Sequence, residues 1–218
     1  MPLPALPASN TRRGALQHGL AATALVALPA LWFGPRAGQP AERRLTPSQT
    51  EGPYYPVRLP DDHDADLLRS GARRYQHGQP TWLEGQVTDP AGQPLRGAAV
   101  EIWQCDHNGR YHHPGDGNQA DPDFQGFGRV SVDAQGRYRF RTLRPVTYGG
   151  RAPHIHLKVK LGSRELLTTQ VYVQGEPRNE RDMLWRSIRN EADRAALTVP
   201  FEPVSDGLLA RFPIVVAA

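Results

Sequence analysis

The sequence predicts an all-β protein whose strands pack as a sandwich. From Trp82 onward, short runs of alternating apolar and polar residues follow one another, and turn-forming segments such as residues 89–92 and 133–136 end them. The 21 glycines and 21 prolines are spread along the chain, which suits many short strands joined by turns. Little helix-forming sequence separates the runs, so a β-sandwich with long loops is the expected architecture.

Each run predicts one strand, and the apolar pattern near the C-terminus predicts one helix. The predicted strands lie near residues 82–88, 100–102, 127–132, 138–140, 154–159, 167–173 and 214–216. Between the last two, residues 180–196 place Leu184, Ile188 and Ala192 on one face of a helix. The sheet is therefore expected to carry a single short helix before its last strand.

Composition argues against two classes of protein. The net charge of +4 comes from scattered arginines with no aromatic residues interleaved in a basic patch, so no nucleic-acid partner is expected. Cys105 is the only cysteine in the chain, which excludes an internal disulfide. A thiolate metal centre would need further cysteines, so Cys105 is expected to be a small buried residue.

Residues 1–45 are predicted to be an export signal or a disordered N-terminal segment, with the folded domain spanning residues 46–218. The pair Arg12-Arg13 precedes an apolar run over residues 19–33, and small residues follow it. A charged head, a short apolar stretch and a small-residue region are typical of a secretion signal. The arginine pair resembles a twin-arginine signal. We therefore expect a protein exported to the bacterial periplasm or the cell exterior, with an uncleaved anchor as the alternative.

The apolar run is too short for a confident membrane span, so the mature protein is not expected to be embedded in a membrane.

Two histidines on one strand are the first candidate metal ligands. In an alternating strand, side chains two residues apart emerge on the same face, so His154 and His156 can bind one ion. Ile155, Leu157 and Val159 would then face the core. Taken alone the pattern is weak, because structural or surface histidines explain most such pairs.

Two tyrosines make the interpretation more specific. Tyr111 follows a strand and a turn, and Tyr148 lies six residues before His154. A phenolate is a hard anionic oxygen donor that suits a hard ion such as Fe(III). With an ordinary pKa near 10, a tyrosine stays ionised at neutral pH only on a strong Lewis acid. Zinc sites use His, Cys and carboxylates, so the phenols argue against a zinc hydrolase.

A non-catalytic function is the alternative to a metal-dependent enzyme. Residues 85–100 resemble the opening of transthyretin-like and carboxypeptidase-regulatory sandwich modules, so the expected sandwich is of the transthyretin/immunoglobulin-like kind. Many such modules only bind or support other molecules. A non-catalytic binding module would need neither iron nor tyrosines at positions 111 and 148.

Four stretches of the chain carry a more specific resemblance. They are residues 50–56 (TEGPYYP), 100–111 (VEIWQCDHNGRY), 151–156 (RAPHIH) and 167–172 (LTTQVY). In this order they resemble the intradiol ring-cleavage dioxygenases, the family that includes protocatechuate 3,4-dioxygenase and catechol 1,2-dioxygenase. The resemblance covers residues 48–216, which is nearly all of the predicted domain.

The resemblance implies Fe(III) as the cofactor and assigns a role to each motif residue. The implied iron ligands are Tyr111, Tyr148, His154 and His156. Tyr148 is also implied to act in catalysis, as the ligand that leaves the metal and accepts a substrate proton. Arg151 and Gln170 are implied to lie beside the substrate, and Tyr54 and Tyr55 to line its pocket.

The implied reaction opens a catechol-type ring between its two hydroxyls with O2 and gives a muconate-type diacid. The implied partners are therefore a small aromatic molecule and O2. The interval from Tyr148 to His154 is shorter than in the best-known members, and their helical dimerisation region has no counterpart. Substrate substituents and a homo-oligomeric state are thus left open.

Overall fold

The structure, a computed structural model, describes residues 43–218 as two five-stranded β-sheets and a separate two-stranded ribbon. The all-β prediction is confirmed, since apolar residues of both large sheets meet in one core. Residues 1–42, which hold most of the predicted export signal, lie outside the described residues. Within the described part, no helix is long and apolar enough to cross a membrane.

The strands are numbered in chain order. They are β1 (Arg69–Ser70), β2 (Arg73–Arg74), β3 (Pro80–Thr88), β4 (Ala98–Trp103), β5 (Phe127–Ser131), β6 (Arg137–Leu143), β7 (His154–Leu161), β8 (Arg164–Val173), β9 (Thr198–Val199), β10 (Phe201–Val204), β11 (Gly207–Arg211) and β12 (Ile214–Val215). The first sheet is built around β3, which pairs with β6, β11 and β12, while β10 pairs with β11. The second sheet has the order β5-β4-β7-β8-β9 and is antiparallel except between β8 and β9.

Strand β7 at the centre of the second sheet divides its side chains between two buried layers. Ile155, Leu157 and Val159 are fully buried in the core between the sheets. The alternate residues His154 and His156 lie on the outer face of the sheet, and loops cover them so that both are buried as well. The two histidines are thus buried on the face of the sheet opposite to the apolar core.

The predicted helix is two short helices in the structure. They are α1 (Met183–Ser187) and α2 (Glu191–Leu197). Ile188 has an extended backbone that ends α1, and the side chain of Asn190 accepts hydrogen bonds from the first backbone amides of α2. The prediction of one helix overlooked this cap, because an asparagine at this position starts a new helix more readily than it continues one.

One glycine of β3 marks a contact between backbones. A Cβ atom at Gly85 would lie 2.0 Å from the carbonyl oxygen of Phe212 and 2.8 Å from the hydroxyl of Tyr138. The same carbonyl oxygen accepts a 2.6 Å hydrogen bond from the Tyr138 hydroxyl. Glycine is therefore needed at position 85, where the chain between β11 and β12 runs close beside β3.

We expect Gly85→Ala to lower the free energy of unfolding by about 3 kcal/mol, because the backbone at Phe212 must move to admit the methyl group. Gly97→Ala is the control: its φ is +76° but its added Cβ would meet only Leu161 Cδ1 at 3.8 Å. This variant should lose only about 1 kcal/mol for the left-handed backbone. Urea denaturation measures both, and equal losses would contradict the close contact at Gly85.

Candidate metal centre

The register of the second sheet places the candidate site on its outer face. His156 pairs with Trp103 of β4 on one side and with Gln170 of β8 on the other. His154, two residues earlier, pairs with Tyr172 of β8. Because side chains alternate along a strand, these residues share one face. Strand pairing therefore brings together residues that lie up to 69 positions apart, from 103 to 172.

The two histidines converge on one point. Their Nε2 atoms are 3.1 Å apart, close enough to bind the same ion. His154 Nδ1 donates a 2.6 Å hydrogen bond to the carbonyl oxygen of Ala152, which leaves the Nε2 lone pair of His154 for a ligand. Each imidazole thus directs a ring nitrogen that can bind a metal toward the same buried space.

Burial keeps both imidazoles neutral. It lowers the pKa of His154 to about 4, with a further contribution from the charge of Arg151. Burial also holds the pKa of His156 well below its ordinary value, with help from His154 and Arg151. The neutral ring is the form that binds a metal, so the environment prepares both histidines for that role at neutral pH.

Ring stacking and close packing orient His156. Its ring stacks on the indole of Trp103, with 4.8 Å between centroids and 8° between planes. From another side, Gly52 approaches so closely that a Cβ there would lie 3.1 Å from His156 Cε1. His156 Nδ1 has no hydrogen-bond partner among residues 43–218. The ring is therefore positioned by Trp103 and Gly52, with its Nε2 atom 3.1 Å from His154 Nε2.

Two tyrosines reach the same space from loops outside the sheet. The ring of Tyr111 lies 4.9 Å from that of Tyr148 and 6.2 Å from that of His156. Tyr148 in turn lies 5.4 Å from His154. Gly109, with φ +77°, brings the two loops together, since a Cβ there would lie 2.8 Å from the carbonyl oxygen of Thr147. The structure thus gathers all four residues that the sequence proposed as ligands.

The protonation of the tyrosines limits which ion can be bound. Burial raises the pKa of Tyr111 well above its ordinary value, and it also raises the pKa of Tyr148. Tyr111 is 2% exposed, and its hydroxyl has no hydrogen-bond partner of normal geometry among the described residues. Ionising such phenols requires a strong Lewis acid. Two neutral imidazoles and two phenolate candidates fit Fe(III) better than zinc.

No other donor cluster competes with this one in the described part of the chain. There, no group of three or more His, Cys, Asp or Glu side chains is arranged to hold a metal ion. The candidate centre is not such a group, because two of its four candidate ligands are tyrosines.

A cation lies at the edge of the centre. Arg151 donates from Nε to Asp182 at 2.8 Å and from Nη2 to Gln170 Oε1 at 2.7 Å and to the Tyr172 hydroxyl at 3.2 Å. Its Nη1 makes no hydrogen bond to a described residue, and the side chain keeps 19% exposure. One edge of the guanidinium is thus fixed by protein while the other remains for a ligand.

Asp182 connects this cation to the fold. It also accepts from the amide of Ala152 at 2.7 Å and caps α1 through the amides of Leu184 and Trp185. Burial alone would raise the pKa of Asp182, but the hydrogen bonds from Arg151 and the backbone outweigh it and hold the pKa below its usual value. Asp182 is therefore ionised and locks the position of Arg151.

Gln170 and the two N-terminal tyrosines complete the surroundings. Gln170 Nε2 donates to the carbonyl oxygen of Thr50 at 2.9 Å, which holds the glycine-containing loop against His156. Tyr54 stacks on Tyr111 with 4.7 Å between centroids, beside the candidate donors. Tyr55 instead packs edge-on against Trp103 and donates to the buried Glu101 at 2.8 Å. Of the pair, Tyr54 lies nearer the centre.

Sequence reasoning missed several residues that shape the site: Gly52, Trp103, Tyr172 and Asp182. Asp182 carried a usable signal, since an aspartate directly before an apolar helical pattern is an N-cap. Trp103 and Tyr172 share a face with the histidines, which becomes visible only once the strand register is known. For Gly52 the sequence offered only its place in the stretch TEGPYYP, and its contact with His156 joins residues 104 positions apart.

Comparisons with known proteins find similarity to dioxygenases. The family model named Dioxygenase matches residues 50–152. Over 127 residues the chain is 39% identical to the protocatechuate 3,4-dioxygenase beta chain of Burkholderia cepacia, covering 52% of this chain and 53% of that one. Over 160 residues it is 33% identical to a hydroxyquinol 1,2-dioxygenase of Rhodococcus opacus, covering 65% and 51%. The chain thus spans about half the length of these curated relatives.

A solved structure gives fuller coverage. The dioxygenase domain of a dioxygenase carbohydrate-binding protein fusion from Streptomyces sp. SirexAA-E is 32% identical, with a TM-score of 0.63. The match covers 79% of this chain and 97% of that domain. The family model covers Tyr111 and Tyr148, and the fold agrees with it, so the chain belongs to the intradiol ring-cleavage dioxygenase family.

Proposed function

We propose that this protein is a non-haem Fe(III) dioxygenase that opens a catechol-type ring between its two hydroxyls with O2 and gives a muconate-type diacid. The iron ligands would be Tyr111, Tyr148, His154 and His156. The observation that carries the proposal is the convergence of two buried neutral imidazoles, 3.1 Å apart at Nε2, with the buried phenol of Tyr111 and the half-buried phenol of Tyr148 in a chain of this family.

The competing binding module explains these features poorly. A fold that only bound or supported a partner would gain nothing from burying the Tyr111 hydroxyl and His156 Nδ1 where none of residues 43–218 forms a hydrogen bond of normal geometry with them. Each such atom costs about 1–3 kcal/mol in folding free energy when it stays unpaired. A site that binds a metal through Tyr111 and must keep His156 neutral gives a reason for this cost.

When bound, Fe(III) supplies the Lewis acidity that ionises the tyrosines and the catechol and the electronic coupling that makes the ring reactive toward O2. The chain's own contribution begins with Tyr148. It is half-buried and precedes Gly149 and Gly150, both at positive φ with no atom within 4 Å of an added Cβ. This open, glycine-containing loop lets Tyr148 move away and accept a catechol proton on its phenolate oxygen.

Arg151 is proposed to stabilise negative charge that develops on the bound ring. Asp182 and Gln170 hold the guanidinium in place, so its remaining N–H groups need no reorganisation when the charge appears. Tyr111, which is buried, would remain an iron ligand while Tyr148 moves. A catechol-type aromatic is the substrate class that this arrangement fits, in line with the names of the relatives.

The purified protein is expected to hold about one iron per chain and to show the reddish colour of tyrosinate bound to Fe(III). Tyr148→Phe should keep iron and some colour while turnover slows, because its ligand role is temporary. Tyr111→Phe should also change the colour of the anaerobic catechol complex, because this tyrosine stays bound.

Metal analysis and visible spectra of the free and catechol-bound variants measure these effects. Colourless protein with stoichiometric zinc would rule out the iron proposal. If the catechol complex of Tyr148→Phe differs from the wild type while that of Tyr111→Phe does not, the two tyrosine roles are reversed.

Arg151→Ala is expected to keep its iron but lose turnover by roughly 10²- to 10³-fold, the usual loss for one preorganised charge-stabilising donor. Arg178→Ala, a change of an exposed arginine outside the site, should behave as the wild type. Steady-state rates and iron content of both variants decide the matter. An Arg151→Ala variant with the native rate on every catechol tested would remove Arg151 from the mechanism.

Export is proposed from the N-terminal sequence alone. The mature protein in its native host should lack about the first 35–45 residues, as expected for a cleaved secretion signal. Replacing both Arg12 and Arg13 by lysine should block export if the twin-arginine route is used. Fractionation with N-terminal sequencing tests this, and an intact chain found in the cytoplasm would contradict it.

A further inference from the structure

Residues 49–55, here called the covering segment, lie over the outer face of the second sheet. At one end, Gln170 Nε2 of β8 donates to the carbonyl oxygen of Thr50 at 2.9 Å. At the other end, the Tyr55 hydroxyl donates to Glu101 of β4 at 2.8 Å. Because β7 lies between β8 and β4, the covering segment passes over the strand that carries both candidate histidine ligands.

Glu51 attaches the middle of the covering segment to β7. It forms a hydrogen-bonded ion pair with Lys158, which lies two residues after His156 and on the same face of the strand. Within the described part of the chain, no other group of residues 51–54 forms a hydrogen bond or an ion pair with a strand. Glu51 directly precedes Gly52, so this ion pair holds the neighbour of Gly52 to the strand that carries His156.

Lys158 is itself held from several sides. Its side chain is 5% exposed, and its Nζ lies 4.0 Å from the centroid of the Tyr55 ring and 3.0 Å from Glu165 Oε2. A buried ammonium is costly unless carboxylates pair with it, and Glu51 and Glu165 fulfil that need together. The two carboxylate side chains are 44% and 48% exposed, but only Glu51 belongs to the covering segment.

The ring of His156 lacks the hydrogen bond that usually orients a metal-binding histidine. Such a ring commonly donates its second N–H to a carboxylate or a carbonyl oxygen, but His156 Nδ1 has no partner among residues 43–218. Stacking on Trp103 fixes the plane of the ring. Movement within that plane is limited at Cε1, the atom that a Cβ on Gly52 would approach to 3.1 Å. The position of Gly52 therefore sets where the ring nitrogens lie in that plane.

We propose that Lys158 and Glu51 are positioning residues for His156. Their ion pair holds Gly52 against Cε1 of the ring, and this contact sets the direction in which Nε2 points. Both residues act through Gly52 rather than on the metal, and their effect on iron rests on the proposed function, in which His156 is a ligand. Support of a metal-binding histidine by residues behind it commonly decides how tightly the metal is held.

The two carboxylates that share Lys158 form a matched pair for the test. Glu51→Ala removes one polar contact, the one with Lys158. Glu165→Ala removes two, because Glu165 also accepts a 2.6 Å hydrogen bond from the Thr168 hydroxyl. If the ion pairs served only the stability of the fold, Glu165→Ala would be at least as harmful as Glu51→Ala. A positioning role predicts the opposite order for iron binding.

Iron affinity and electron paramagnetic resonance of the iron-loaded protein measure this order. We expect Glu51→Ala to bind Fe(III) about tenfold more weakly in competition with a chelator, the usual scale for lost support of a histidine ligand. The resonance of its high-spin Fe(III) should also change shape, because the ligand geometry changes. Glu165→Ala should keep the wild-type affinity and signal. Equal affinities and signals in the two variants would overturn the proposal.

A double-mutant cycle shows whether Glu51 acts through Lys158. Lys158→Met replaces the ammonium by an apolar side chain of similar length. If the two residues act as a pair, Glu51→Ala weakens iron binding in the wild-type background but adds little in the Lys158→Met background. Fully additive losses would refute the pair. Should Lys158→Met not fold, the comparison of Glu51→Ala with Glu165→Ala still decides.

A measurement without iron separates this inference from the proposed function. In the metal-free protein, a nuclear Overhauser effect between Gly52 Hα and His156 Hε1 reports their close approach. It should be strong in the wild type and in Glu165→Ala but weakened in Glu51→Ala. If it depends on Glu51 in a protein that binds no iron, the proposed function fails while the placement of the imidazole stands. If iron binds and the effect is equal in all three proteins, only the positioning role fails.

Discussion

The register of β7 between β4 and β8 is the constraint on which the rest of the structure depends. It sets His154 and His156 on the outer face while Ile155 and Leu157 enter the core. A slip of one residue would exchange the two sets, burying imidazoles in the apolar core and turning isoleucine and leucine toward the tyrosines. The core between the sheets therefore also stabilises the candidate metal centre, because the register that fills the core orients both histidines toward the outer face.

Burial then determines the chemistry of the outer face. Imidazoles removed from water stay neutral, and phenols removed from water stay protonated until a strong Lewis acid binds. Charged groups near the centre are held in pairs. Asp182 holds Arg151, and behind Trp103 the buried Lys158 is paired with Glu51 and with Glu165 at 3.0 Å. Pairing lets charges lie close to a dry centre without the cost of isolated buried ions.

A β-sandwich of this kind does not require chemistry, and its core residues would serve a binding module equally well. What separates this chain from such a module is the layer outside the second sheet. There Tyr111, Trp103 and His156 have buried polar atoms that form no hydrogen bond of normal geometry with the described residues 43–218. Such atoms are costly in a structural protein but useful in a site that receives ligands. The candidate site therefore lies between the outer face of the second sheet, which carries His154 and His156, and the loops that cover it.

The sequence by itself determined the all-β class, most strand positions and the four candidate ligands, because alternation and short motifs are local patterns. It also indicated Arg151 and Gln170 through family resemblance. Only the tertiary structure determines which residues hold these side chains in position. Asp182 binds Arg151, which lies 31 positions earlier, and Gly52 leaves room for the ring of His156. The single predicted helix is also divided by the Asn190 cap. These features depend on strand register and loop paths, which bring distant residues together and leave no periodic trace in the chain.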